Sequence, residues 1–203
     1  MNNKIETSSK NTKVQKEIKL LIRGGSISAG KGVEKSYADL LKNFSALKNW
    51  EIINRSRERD NTFDGIWSFQ TDIAPFSPDV FIIHFGVDDA YFPVYRSEFK
   101  ENLVQMVRLS RELFNPHIIL LTSQPFENQY DSEVMDIYYR TIREVAVDLD
   151  CEMIPMHTYF WGYLEVSNLN LRDLVQEDCR YPNNKGHEIF AEAIALRLER
   201  FSK

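Results

Sequence analysis

Short, nearly continuous apolar runs alternate along this chain with longer amphipathic stretches, and that alternation restricts the possible folds more than any other feature. The runs at 18–23, 51–54, 79–85, 117–122 and 152–156 have strand length. A strand apolar along its whole length is one covered on both faces. Between the runs, helical periodicity is strongest over 97–114, where Phe99, Leu103, Met106, Val107 and Leu113 fall mainly on one stripe and Ser97 is placed to cap it. Helices are also expected over 132–149 and 185–201, with shorter ones over 33–44 and 63–73, and Pro75 and Pro78 punctuate the entry to the third strand. Strands joined by helices build a parallel sheet with helices on both faces. The expectation is therefore an α/β protein with a doubly wound sheet of five parallel strands flanked by helices.

The strand order expected is 2-1-3-4-5, the flavodoxin-like arrangement, in which ligands bind beyond the carboxyl ends of the strands. Function is then to be sought just after Arg23, Asn54, Phe85, Thr122 and Met156. Residues 1–17, rich in Asn, Lys, Ser and Thr, read as a disordered polar tail, and 18–203 as a single domain. The tail lacks the apolar core of a secretory signal, and no apolar run approaches the ~20 residues that span a bilayer. Cys151 and Cys179 read as two free thiols, and the expected compartment is the cytoplasm. A net charge of −5 without a basic stretch gives no reason to expect nucleic acid or an anionic membrane as partner.

The glycine-rich turn after the first strand, Gly24-Gly25-Ser26-Ile27-Ser28-Ala29-Gly30, is where a serine hydroxyl can stand above a sheet edge as a nucleophile. Taken alone, it reads as a plain Gly/Ser turn. The same stretch nearly matches the phosphate-binding pattern G-x-x-x-x-G-K-[ST] from Gly25 to Gly32, but Gly32 lacks the hydroxyl that ligates magnesium. A nucleotide-binding module is the rival reading that this leaves open.

Four blocks in order bear on the choice. Asp178-Cys179-Arg180-Tyr181-Pro182-Asn183-Asn184-Lys185-Gly186-His187 resembles the closing D-x-x-H-P-N-x-x-G-H of the SGNH (GDSL-type) hydrolases. The first turn is similar to that family's G-D-S start, with Gly25 in place of Asp. Gly86-Val87-Asp88-Asp89 resembles its G-x-N-D, and residues 54–62 resemble its second block more loosely. The resemblance implies the flavodoxin-like fold above and hydrolysis of acyl or acetyl esters without metal or cofactor. It assigns the nucleophile to Ser26, the orienting acid to Asp178 and the general base to the position of Tyr181. It assigns the oxyanion hole to the positions of Ser26, Arg59 and Asp88.

Three of these positions carry the wrong chemistry. A tyrosine hydroxyl, with an ordinary pKa of about 10, is a donor and not a base at neutral pH. An arginine stands where the family has glycine. An ionised aspartate has acceptors only, so it opposes a developing oxyanion. Ordinary Ser-His-Asp catalysis is therefore expected to be impaired or lost, leaving a cleft for a small ligand, a carbohydrate or an acyl ester. The alternative is an active serine esterase with a substitute base, for which His157, just past the fifth strand, and His187 are the candidates; His84 and His117 read as structural. The opposite charges of Arg59 and Asp88 raise the further expectation of an ion pair plugging the hole. Arg55 and Arg57 continue the basic alternation, and two aromatic groups, Tyr91 with Phe92 and Tyr95, and Tyr159 with Phe160, Trp161 and Tyr163, are placed to wall the cleft.

Overall fold

The structure, a computed structural model, describes residues 17–92 and 94–202; most of the expected polar tail lies outside the described residues. Five strands form one parallel sheet, β1 (Ile18–Gly24), β2 (Trp50–Asn54), β3 (Val80–His84), β4 (His117–Leu121) and β5 (Glu152–Ile154), in the order β2-β1-β3-β4-β5. This is the 2-1-3-4-5 order. β1 and β3 sit in the middle, with Leu20 in register with Ile52 on one side and Val80 on the other. Every residue of β3 is buried, as its unbroken apolar run requires.

The helices are α1 (Ser26–Ala29), α2 (Tyr37–Leu41), α3 (Thr62–Trp67), α4 (Phe69–Asp72), α5 (Val87–Tyr91), α6 (Arg96–Leu113), α7 (Gln129–Asp148), α8 (Met156–Val166) and α9 (Asn184–Leu198). None among the described residues is long and apolar enough to cross a membrane. Several differ from the periodicity. The helix expected over 33–44 shrinks to α2, because Ser36 and Asp39 exchange side-chain and backbone bonds in a capping box that sets a later start. The one expected over 63–73 breaks at Ser68, whose hydroxyl turns back to the Asp64 carbonyl. Tyr95 and not Ser97 is the N-cap of α6, its N–H donating to Glu98. Pro155 ends β5 early, and the aromatic run behind it forms α8, which was not foreseen.

A buried cation lies inside this frame. Arg23, near the end of β1, is fully buried. Its guanidinium donates to the Gly24 carbonyl at 2.9 Å, to Asp60 at 2.5 Å and to the Ser68 hydroxyl at 3.0 Å, and its Nε lies 4.0 Å from Asp72. Asp72, itself buried, also takes Arg55 at 3.0 Å and Arg57 at 2.6 Å. The network ties the loop after β2 to the sheet. Burial opposes ionisation of Asp72, but its bonds to Arg55, Ser68 and Arg57 outweigh that and hold the carboxyl below its usual range.

Removing one member of a buried ionic network strands the others. Asp72→Ala is accordingly expected to cost about 3–5 kcal/mol in chemical denaturation. The native chain should lose this stabilisation on acidification below pH of about 4, because a carboxyl with a lowered folded pKa stabilises above its unfolded value and ceases to as it protonates. A loss under about 1 kcal/mol, of the size seen for surface pairs, would contradict the network's role.

Candidate active site

β1 delivers the glycine turn to the carboxyl edge of the sheet, and the absence of side chains there is steric. A Cβ on Gly24 would lie 2.2 Å from the His84 carbonyl oxygen. One on Gly25 would lie 2.2 Å from Asp88 Oδ2 and 2.5 Å from the Asp60 carbonyl oxygen. Ser26 opens α1 immediately afterwards and is fully buried.

All the hydrogen-bonding capacity seen at Ser26 is directed inward. Its N–H donates to Asp88 Oδ2 at 2.6 Å and its hydroxyl donates to Asp88 Oδ1 at 2.7 Å. Its Oγ accepts the Arg59 N–H at 2.9 Å. The structure thus brings Ser26, Arg59 and Asp88 together, the last from the first turn of α5. Burial raises the Asp88 carboxyl above its usual range; the two Ser26 donors and the Lys31 charge oppose this, and Asp60 adds to it. Its neighbour Asp89 holds the turn, accepting from Thr62 N–H and hydroxyl and from Gly86 N–H, and burial pushes its pKa up to about 6.

The expected ion pair between Arg59 and Asp88 does not form. Arg59 has φ 67°, a left-handed conformation that favours glycine, and the turn presents its N–H to the site. Its guanidinium lies 5.7 Å from the centre of the Phe92 ring on the surface. Asp88 is satisfied by Ser26 instead.

Tyr181 and Asp178 make no hydrogen bond to Ser26 among the described residues. Asp178 is gripped by Arg180, Nε to Oδ1 at 2.7 Å and a terminal nitrogen to Oδ2 at 2.6 Å, which holds its carboxyl low. Tyr181 is buried, with Lys31 Nζ 4.0 Å from its ring centre. Lys31, which motif reading passed over except as part of the phosphate-loop pattern, links the two groups. Its N–H donates to the Ser26 carbonyl at 3.0 Å, and its charge acts on both Asp88 and Asp178. The buried roles of Arg23 and Asp72 were missed as well; the trace in sequence is a charged residue ending an apolar strand.

The two candidate substitute bases have other partners. His187 is buried, its Nδ1 accepting the Tyr37 N–H at 3.0 Å, and burial lowers its pKa to about 4. His157 bonds to the Thr122 hydroxyl at 2.8 Å and stacks on Tyr139 with ring centres 4.5 Å apart, bordering a cavity with Asp136, Arg140 and Arg143. Neither imidazole bonds to Ser26. His84 bonds to Ser28 and Tyr37 in the core, and His117 pairs with Glu152 at the opposite edge. Nor does Gly25–Gly32 cradle a phosphate. The N–H groups of Ser26, Ala29, Gly30 and Lys31 are spent within the protein, and a Cβ on Gly32 would meet Gln176 Oε1 at 2.1 Å.

Comparison with known proteins gives a family and agrees with the fold. The sequence profile of the GDSL-like Lipase/Acylhydrolase family matches residues 23–189. An acetylxylan esterase from Xylanibacter ruminicola is 28% identical over 152 residues, 63% of this chain but 30% of that protein, so the chain spans about a third of the length of this curated relative. Among solved structures, the lipase/acylhydrolase from Enterococcus faecalis superposes with a TM-score of 0.78 at 20% identity, covering 91% of this chain and 96% of that one. Axe2, an acetylxylan esterase from Geobacillus stearothermophilus, gives 0.76 at 21% identity over 90% and 94%.

The space beside Gly25 is filled by Asp88, so Gly25→Ala should destabilise the chain by about 1–3 kcal/mol, the usual cost of overpacking. Adding Asp88→Gly should recover only part of it, since the Asp60 carbonyl still lies 2.5 Å from the new methyl. Equal stability of Gly25→Ala and the native chain in urea would show that this space is open.

Proposed function

Because the chain belongs to the GDSL-like lipase/acylhydrolase family, we propose that its site is of the acyl- or acetyl-ester class, with carbohydrate esters as the favoured ligands and ordinary Ser-His-Asp catalysis impaired or lost. One observation carries this: the Ser26 hydroxyl is hydrogen-bonded to a carboxylate and not to an imidazole, and the same carboxylate covers the Ser26 N–H. In an acyl transfer that N–H would donate to the oxyanion. With Asp88 Oδ2 on it, the transition state meets an anion where it needs a donor. Loss of a single such donor costs about 3–4 kcal/mol. The names of the relatives support acetylated carbohydrate as the ligand, and the free thiols Cys151 and Cys179 fit the cytoplasm as the compartment.

A second reading rests on the 2.7 Å bond itself. Asp88 is the group within reach of the Ser26 proton, and burial makes it a stronger base than an ordinary carboxylate. Residual acyl transfer would then use Asp88, in place of His157 or His187, as the non-standard base.

Hydrolysis of p-nitrophenyl acetate tests both. The native chain is expected to turn over near background, Tyr181→His alone to change little, and Tyr181→His with Asp88→Asn to gain more than the separate changes sum to. Fast native turnover abolished by Ser26→Ala would overturn the loss of catalysis. Asp88→Asn alone separates the two readings by sign. A rise means that the carboxylate only obstructs, and a fall to the Ser26→Ala level means that it serves as the base.

A further inference from the structure

Two aromatic side chains of α3 stand in water, Phe63 at 44% and Trp67 at 90% exposure. Four residues apart on one helix, they share a face about one turn from each other. Isolated exposed aromatics are ordinary on protein surfaces, but here a cavity of about 360 Å³ opens at Trp67, lined by Arg57, Asp60, Asp64, Ser68 and Thr71. Its walls are fixed. Asp60 is held by the buried Arg23, Arg57 is bound to Asp72, and Asp64 caps α3 through Asn61. The loop carrying Arg57 and Asp60 also delivers the Arg59 N–H to Ser26, so one segment borders the cavity and bonds the serine.

We propose that Phe63, Trp67 and this cavity form a subsite for a carbohydrate chain, sugar rings lying on the aromatic face with their hydroxyls bonded to Asp60, Asp64 and Arg57. The lining decides between ligand classes. A phosphodiester chain would bring its charge against two carboxylates. An acyl chain would desolvate those carboxylates and the guanidinium without giving them a partner. A pyranose has an apolar C–H face for the indole and a rim of hydroxyls that both donate and accept, which matches carboxylate and guanidinium together. The choice of xylan-type sugars as first probe rests on the ester reading above; the subsite itself rests on the exposed aromatics and the polar lining.

Titration of the full chain with xylohexaose and with cellohexaose, both free of ester groups, tests the proposal by tryptophan fluorescence and calorimetry. Saturable binding is expected for at least one of them. Trp67→Ala should weaken it by about tenfold or more and Phe63→Ala by less, with melting temperatures unchanged because both side chains lie outside the core. Absence of saturable binding to either sugar, or Trp67→Ala binding as tightly as the native chain, would overturn the subsite. So would a native dimer in sedimentation that Trp67→Ala dissociates, since the face would then be an interface between copies. Because the titration contains no ester, the two readings fail separately: fast p-nitrophenyl acetate turnover abolished by Ser26→Ala would overturn the loss of catalysis and leave the subsite standing, and absent sugar binding would overturn the subsite alone.

Discussion

A buried carboxylate must find donors or lose its charge, and Asp88 finds them on one residue, the N–H and the hydroxyl of Ser26. Much of the site follows from that demand. Ser26 cannot offer its hydroxyl to an imidazole while it donates to Asp88, so the base position is free to hold a tyrosine that packs under Lys31. Asp178 has no histidine to orient and binds Arg180 instead. Lys31 lies where its charge favours both carboxylates. The departures from the family pattern at positions 88 and 181 and the pairing of Asp178 with Arg180 are mutually consistent, because each removes the need for the next.

The third donor to this group comes from the loop after β2, and the loop is held from beneath by Arg23. A guanidinium with no exposure is costly unless its charge is matched. Asp60, Ser68 and the Gly24 carbonyl take its terminal N–H groups, and Asp72 adds opposite charge 4.0 Å from Nε, which has no hydrogen-bond partner of its own among the described residues. Gly24 adjoins the nucleophile turn and Asp60 adjoins Arg59, so one buried cation pins both sides of the site. The left-handed turn at Arg59, where glycine would carry no strain, is maintained by this frame.

The sheet was legible because its signal is a property of whole segments. Five continuous apolar runs and the periods between them specify a parallel sheet whatever the individual contacts are. Helix ends were less legible, since Ser36, Ser68 and Pro155 act through single local bonds or a missing N–H that periodicity averages away. At the site, Ser26 and Asp88 could be found from the resemblance of their blocks to the family pattern, and the structure does bring them together. What spacing could not give was direction. The opposite charges of Arg59 and Asp88 suggested an ion pair, yet residue type says nothing about whether a turn presents its side chain or its N–H. Here the left-handed turn presents the N–H. The phosphate-loop resemblance failed for a related reason, as the pattern counts glycines but not whether the N–H groups they expose are already engaged.

Two of the departures are better understood as one. The family pattern has a carboxylate at the position of Gly25 and an amide at the position of Asp88; this chain has no side chain at the first and a carboxylate at the second. A Cβ at Gly25 would fall 2.2 Å from Asp88 Oδ2, so the Asp88 carboxylate stands where a side chain on residue 25 would begin. The site keeps a single carboxylate between the two positions but carries it on residue 88 instead of residue 25. Neither change is accommodated alone. A side chain at 25 would collide with Asp88 as it now lies, and an amide at 88 beside Gly25 would leave the Ser26 hydroxyl without its anionic acceptor. A negative charge beside Ser26 is therefore retained, but it is carried by a carboxylate that takes both the N–H and the hydroxyl of that serine, and this separates the arrangement from the pattern it resembles.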